Sequence, residues 1–259
     1  MMHPIDADFI PAEDSIRWAE EAISELCSSI DAFFGGDVIR SVTEFDSDTA
    51  EKVFKVKLLQ NLPHGLRRKA TEALNNARHS FDQSIFAARN ILGRRSNKGV
   101  NYPWSRDPVD LTRLLQERRI DTRLWDTIRA HEPYPASDSQ PRGDDLIRTL
   151  ATIANGKHKV GLAVDIQIPS IRYPTIHGIR VERMQVLTPR WNAAKNEAEL
   201  IRWKGEVEIA DNYEFDVRVC LKDSRLSEPT DAVGALRLFT AKAKEVCETV
   251  KLKCFELTN

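Results

Sequence analysis

Arg78, His79 and Asp82, with Asn75 one helical turn earlier, bring a guanidinium, an imidazole, a carboxylate and an amide within one short stretch of the chain. A guanidinium fork matches a phosphate group. An imidazole can move a proton near neutral pH. Together they could clamp a phosphate ester at Arg78 and serve it with His79 as acid or base. The blander reading is a surface ion pair, because Arg78 and Asp82 stand four residues apart, where such a pair contributes only about 0.2–0.5 kcal/mol on an exposed helix. His158 is the third catalytic candidate. If a strand begins at Lys157, His158 shares the parity of Val160 and Leu162 and points to the rim of a core.

The elements that must position these groups follow from period. Leu74, Ala77, Phe81, Ile85, Ala88 and Leu92 recur at helical spacing, which predicts a long helix over about 66–92 with the polar cluster on its opposite face. An earlier helix opens at Glu13-Asp14-Ser15, carries an apolar stripe from Ile16 to Phe34 and stops at Gly35-Gly36. Residues 37–59 read as a β-hairpin turning at Asp46-Ser47-Asp48-Thr49. Pro108 starts a short helix, Asp121 caps another, and Asp144-Asp145 opens a third that ends near Asn155-Gly156. Beyond 157 the period changes from 3.6 to 2. Strands are expected from Lys157, within 178–187, and as a hairpin of 201–209 with 213–221 turning at Asp211-Asn212. A last helix from about Pro229 to Lys251 would cover the sheet's apolar face.

The expected fold class is therefore α+β. A helical N-terminal half (1–156) with an inserted hairpin near 37–59 packs, as one compact unit, on a C-terminal antiparallel sheet closed by a long helix (157–259). No apolar run approaches the roughly 20 residues that cross a bilayer. The N-terminus lacks the basic-then-apolar pattern of a secretory signal. Four scattered cysteines suit a reducing cytoplasm. Neither the cysteines nor the six histidines have metal-ligand spacing, and nucleotide-loop and serine-hydrolase motifs are missing, so no metal or cofactor is expected.

Net charge is −1, yet it is unevenly distributed. Residues 1–62 carry 5 Lys/Arg against 13 Asp/Glu, while 63–106 carry 9 against 2. Either the two segments neutralise one another by packing, or the basic one meets RNA or another anionic partner. Arg94, Arg95 and the aromatic pair Tyr102 and Trp104 belong to that second reading.

Asn75 to Gln83, Tyr102-Pro103, Glu132-Pro133-Tyr134 and Gly156-Lys157-His158-Lys159 follow in the order of a pattern written HNLRSALDH, QPY and DKHR. In this the chain resembles a family of uncharacterised bacterial proteins and is distantly similar to the HEPN superfamily. The resemblance implies a helical, homodimeric ribonuclease in which an arginine contacts the scissile phosphate and a histidine five residues later assists attack by the ribose hydroxyl. Arg78 matches that arginine. The histidine position is Gln83, which cannot transfer a proton near neutral pH, and Asn75 stands where the family run begins with histidine. The expectation is thus a cytoplasmic bacterial binding or interaction module without catalysis. Its binding residues are Asn75, Arg78, Asp82, Arg94, Arg95 and Tyr134. The alternative is a metal-independent HEPN-like ribonuclease of a toxin or phage-defence type, using Arg78, His79 and His158.

Overall fold

The computed structural model describes residues 4–93, 101–138, 141, 143–155, 163–210, 212–226 and 228–258. The fold is α+β. Helix α1 (Pro4–Phe34) is followed by the hairpin β1 (Ile39–Asp46) and β2 (Glu51–Leu58), then by α2 (His64–Ile91). Three short helices come next: α3 (Pro108–Glu117), α4 (Trp125–Ala130) and α5 (Asp145–Ala154). Strands β3 (Ala163–Arg172), β4 (Ile176–Val186), β5 (Trp191–Asn192), β6 (Glu197–Ile209), β7 (Glu214–Lys222) and β8 (Thr230–Asp231) precede α6 (Ala232–Thr258).

Helix α1 begins well before the acidic triplet expected to open it, and Pro11 lies inside it. The apolar stripe extends backwards through Ile5, Phe9 and Ala12, all buried, and that burial offsets the hydrogen bond that Pro11 cannot make. The short helices follow their sequence signals. Asp107 caps α3 ahead of Pro108 by accepting from the Asp110 amide at 2.7 Å. Asp144 caps α5 by accepting from the Ile147 amide at 2.9 Å.

The expected hairpin of 201–209 with 213–221 does not form. β6 lies in a sheet ordered β1-β2-β6-β4, with β5 also on β6, whereas β7 pairs with β3 and β8 in a second sheet. Both strands alternate as expected, but their apolar faces meet across the gap between sheets instead of lying side by side. Phe54, Leu200, Ile201 and Trp203 of the first sheet pack with Ile171 and Phe215 of the second and with Tyr213 just before β7. The Phe54 and Tyr213 rings meet edge to face at 5.4 Å. The N-terminal hairpin thus joins the C-terminal strands, β2 pairing antiparallel with β6, so the first sheet draws on both halves of the chain. Lys55, buried beside this pairing, lies 2.8 Å from Glu44 and 3.1 Å from Glu197. Gly205 sits at φ +105 with the Arg180 carbonyl so close that an added Cβ would lie 2.1 Å from it, which only glycine tolerates.

Helix α6 turns its stripe chiefly to α1 and α2, not to the sheet. Leu236, Phe239, Ala243, Val246, Val250 and Cys254 share the main core with Phe9, Ala19, Leu26, Phe81 and Ile85. Lys251 of α6 reaches Asp6 and Glu13 of α1, each at 2.8 Å. The three long helices form one bundle, and α3 to α5 pack beside it under the connection that starts at 101.

Candidate functional site

Helix α2 carries Arg78 inward, not into solvent. The residue is 5% exposed. Its Nη1 lies 2.5 Å from Asp82 Oδ2, and its guanidinium carbon lies 5.9 Å from the Trp104 ring centroid. Asp82 Oδ1 accepts the Tyr102 amide at 2.6 Å, so the carboxylate ties the 101–105 connection onto the helix. Arg118 adds a second tie by donating to the Asn101 carbonyl at 2.8 Å and to the Tyr102 carbonyl. Phe81, Tyr102 and Trp104 meet tilted or edge to face at centroid distances of 4.8–5.0 Å, which fixes Trp104 as the lid over Arg78. Arg78 Nε and Nη1 make no geometrically proper hydrogen bond; the Asp82 contact is an ion pair by distance alone.

The other sequence candidates do not gather around it. His79 is exposed and Asn75 is half-buried. Gln83 accepts the Ser15 hydroxyl at 2.7 Å and so faces α1. Five residues after Arg78 on a helix is roughly 140° round the axis, which explains why the two point to different neighbours. His158, Arg94 and Arg95 lie outside the described residues. Tyr134 is buried, and it lines a pocket that sequence reasoning missed.

That pocket has a volume of about 290 Å3 and sits between the 131–134 turn, α5 and α6. Its wall includes Trp104, His131, Tyr134, Arg148, Lys242 and Glu245. The turn is held in place by its surroundings. The Asp144 amide donates to the Tyr134 carbonyl at 3.2 Å, and the Ala136 amide donates to Asp145 Oδ1 at 2.9 Å. Position 143 must be glycine for this approach, since a Cβ there would lie 2.5 Å from the Pro135 carbonyl group. Glu132 adopts a left-handed backbone conformation at φ 47.

Arg148 donates through Nε to the Ser105 carbonyl at 2.9 Å and through Nη1 to the Thr152 hydroxyl. Among the described residues no carboxylate lies within ion-pair distance of it. Burial holds its guanidinium below the ordinary value; Asp110 opposes that shift and Arg78 adds to it. Arg118 is lowered for the same first reason, burial, with Asp82 opposing and Arg78 adding. Lys242 and Glu245, one turn apart on α6, pair at 3.0 Å.

His131 is 7% exposed. Its Nε2 lies 2.6 Å from the Thr249 hydroxyl and its Nδ1 lies 3.3 Å from Glu245 Oε1. Burial, then Lys242, push its pKa down, with Glu245 opposing. A carboxylate, an imidazole and a hydroxyl in that order resemble an acyl-transfer relay. Thr249, however, donates to the Glu245 and Val246 carbonyls of its own helix and does not line the pocket. His131 is thus a tie between the turn and α6. Among the described residues no group of three or more His, Cys, Asp or Glu side chains could hold a metal ion, and no helix is long and apolar enough to cross a membrane.

The pocket residues come from five separate stretches, so no local spacing announces them. The one available signal was the Glu132-Pro133-Tyr134 break, which marks an irregular turn. The chain has no significant match among protein-family models, curated proteins or solved structures.

Proposed function

We propose that this protein is a binding module without catalysis, working in a bacterial cytoplasm, and that its ligand enters the pocket beside Arg148. One observation carries the reading: a half-buried guanidinium, without a carboxylate partner among the described residues, stands in the wall of a pocket built from aromatic rings. A buried cation without a counter-charge is costly, and a ligand that supplies the charge recovers that cost. Concave pockets that set aromatic rings beside placed polar groups are where small molecules bind.

Of the two readings of the 63–106 charge, its described residues favour neutralisation by packing. Within that segment Lys69 pairs with Glu25 of α1 and with Glu72, and Arg78 and Arg89 are buried. The rival reading, a homodimeric HEPN-like ribonuclease with an RNA partner, draws no support from a sealed Arg78 and a Gln83 turned to Ser15.

Two measurements test the proposal. Purified protein is incubated with RNA, and a library of neutral, cationic and anionic small molecules is screened for thermal stabilisation. RNA should stay intact, and some library members should raise the melting temperature. Leu238→Trp, which fills the pocket from α6, should abolish that rise. RNA cleavage that disappears in Arg78→Ala, with folding retained, would overturn the reading.

A further inference from the structure

The pairing of charges around the pocket narrows the ligand, because most cations there have a carboxylate partner and Arg148 has none among the described residues. Arg78, Arg118 and Arg148 lie close enough for Arg78 to lower both of the others. Asp82 is engaged by Arg78 and the Tyr102 amide. Asp110 is taken up by Arg113 at 2.6 Å and by the Arg106 amide at 3.0 Å. On the α6 side Glu245 is neutralised by Lys242, and Asp144 is occupied as the α5 cap. Arg148 is therefore the pocket's cation without a carboxylate partner among the described residues, its Nε and Nη1 going to the Ser105 carbonyl and the Thr152 hydroxyl.

Beside it the wall is aromatic. Trp104 and Tyr134 both line the space, and Trp104 Nε1 is buried without a hydrogen-bond partner. A buried donor left unpaired is an energetic liability that a ligand acceptor would relieve. Glu132 stands on the same wall, half-buried and without a cation partner among the described residues. It disfavours a second negative group in the same small space. A volume of about 290 Å3 is ample for one ring with a substituent.

We infer that the pocket takes a small ligand in which one planar ring carries one anionic group, a carboxylate or a phosphate. The anion lies on Arg148 and the ring lies against Trp104 and Tyr134. With Nε and Nη1 engaged by Ser105 and Thr152, Nη2 is the nitrogen of Arg148 that donates to the oxyanion, a charge-assisted hydrogen bond suited to either group. The inference rests on the binding reading above and adds the ligand's chemistry to it.

Titration of the full chain with benzoate, phenyl phosphate, inorganic phosphate, benzyl alcohol, benzylamine and terephthalate, followed by calorimetry or NMR, tests it. Benzoate or phenyl phosphate should saturate the protein at least about tenfold more tightly than inorganic phosphate or the two uncharged or cationic ring compounds. Which of the two wins distinguishes a carboxylate ligand from a phosphate ligand. Terephthalate should bind more weakly than benzoate. Arg148→Gln should weaken the preferred anion about tenfold. Leu238→Trp should abolish its binding without touching Arg148, which covers the case in which the arginine variant fails to fold. Equal affinity for benzyl alcohol or benzylamine, or no saturable binding of either ring anion, overturns the inference. The broader binding reading then survives if other library members still bind at the pocket. Conversely, Arg78-dependent RNA cleavage sinks the broader reading even where benzoate is bound.

Discussion

The Ser15 hydroxyl donates to the Gln83 side-chain carbonyl at 2.7 Å, joining α1 to α2 at the position where a nuclease-like motif would carry its histidine. The residue five places after Arg78 therefore serves helix packing, and its partner lies on the far side of α2 from the Trp104 lid.

Gln83→His should accordingly destabilise the protein and create no nuclease. Losing the Ser15 bond at a half-buried site costs about 0.5–1.5 kcal/mol. Urea denaturation should show the lower midpoint, and RNA incubated with the variant should remain uncut. Cleavage by Gln83→His would show that the two positions share a site after all.

Arg78→Met should act on stability, because it leaves Asp82 beneath the lid without its cation. Removing one member of a buried pair typically costs about 3–5 kcal/mol, and the partial exposure of Asp82 places this case toward the lower end. Arg78→Met combined with Asp82→Asn should recover part of the loss, since no unpaired charge then remains. The comparison is made by chemical denaturation of both variants, and an unchanged single variant would contradict the burial described for Arg78.

His131 predicts a pH dependence with a definite sign. Burial and Lys242 lower its folded value, so the unfolded chain binds the proton more readily. Its contribution is complete above the unfolded value of about 6.5 and is lost as pH falls from there through the lower folded value. Stability should decline with acidification in that window, and His131→Gln should flatten the decline. A slope identical in the two proteins would remove His131 from the account.

Lys55 couples the two halves of the first sheet. Its hydrogen bond, followed by that of Lys57, holds the Glu44 carboxyl down at about 2. In Lys55→Met the Glu44 titration, followed by NMR, should move up toward the ordinary carboxylate range. The variant should also lose about 1–3 kcal/mol, because Glu197 is left buried short of one hydrogen bond with only Lys57 nearby. A Glu44 titration that stays in place would mean that Lys57 alone sets it.

Gly143→Ala should loosen the pocket, since the added methyl meets the backbone of Pro135 and Tyr134, which cannot retreat without breaking the 134–144 hydrogen bond. Faster amide exchange over 131–136 is the expected sign.

Much of this architecture was legible in one dimension. The stripes that begin at Ile16 and Leu74, the Pro108 start of α3, the Asp121 and Asp144 caps and the hairpin of β1 with β2 all follow from local period and local chemistry. Each needs only a few neighbouring residues to declare itself. The pairing of β2 with β6 brings Lys55 to Glu197 across 142 positions, and nothing near either residue encodes it. Alternation told which face of β6 and β7 was apolar but not that the faces would meet across two sheets.

The same limit applies to the site. The sequence by itself determined that Arg78 and Asp82 share a helix face and that this face is polar. Whether that face looked out to solvent or lay under Trp104 depended on where a loop 20 residues later came to rest, which only the tertiary structure decided. The Arg148 pocket exists because the bundle brings the 131–134 turn, α5 and α6 together. Periodicity identifies the side of an element that avoids water. What covers the other side depends on the packing of distant segments, and here that packing buried Arg78 under Trp104 and left a pocket beside Arg148.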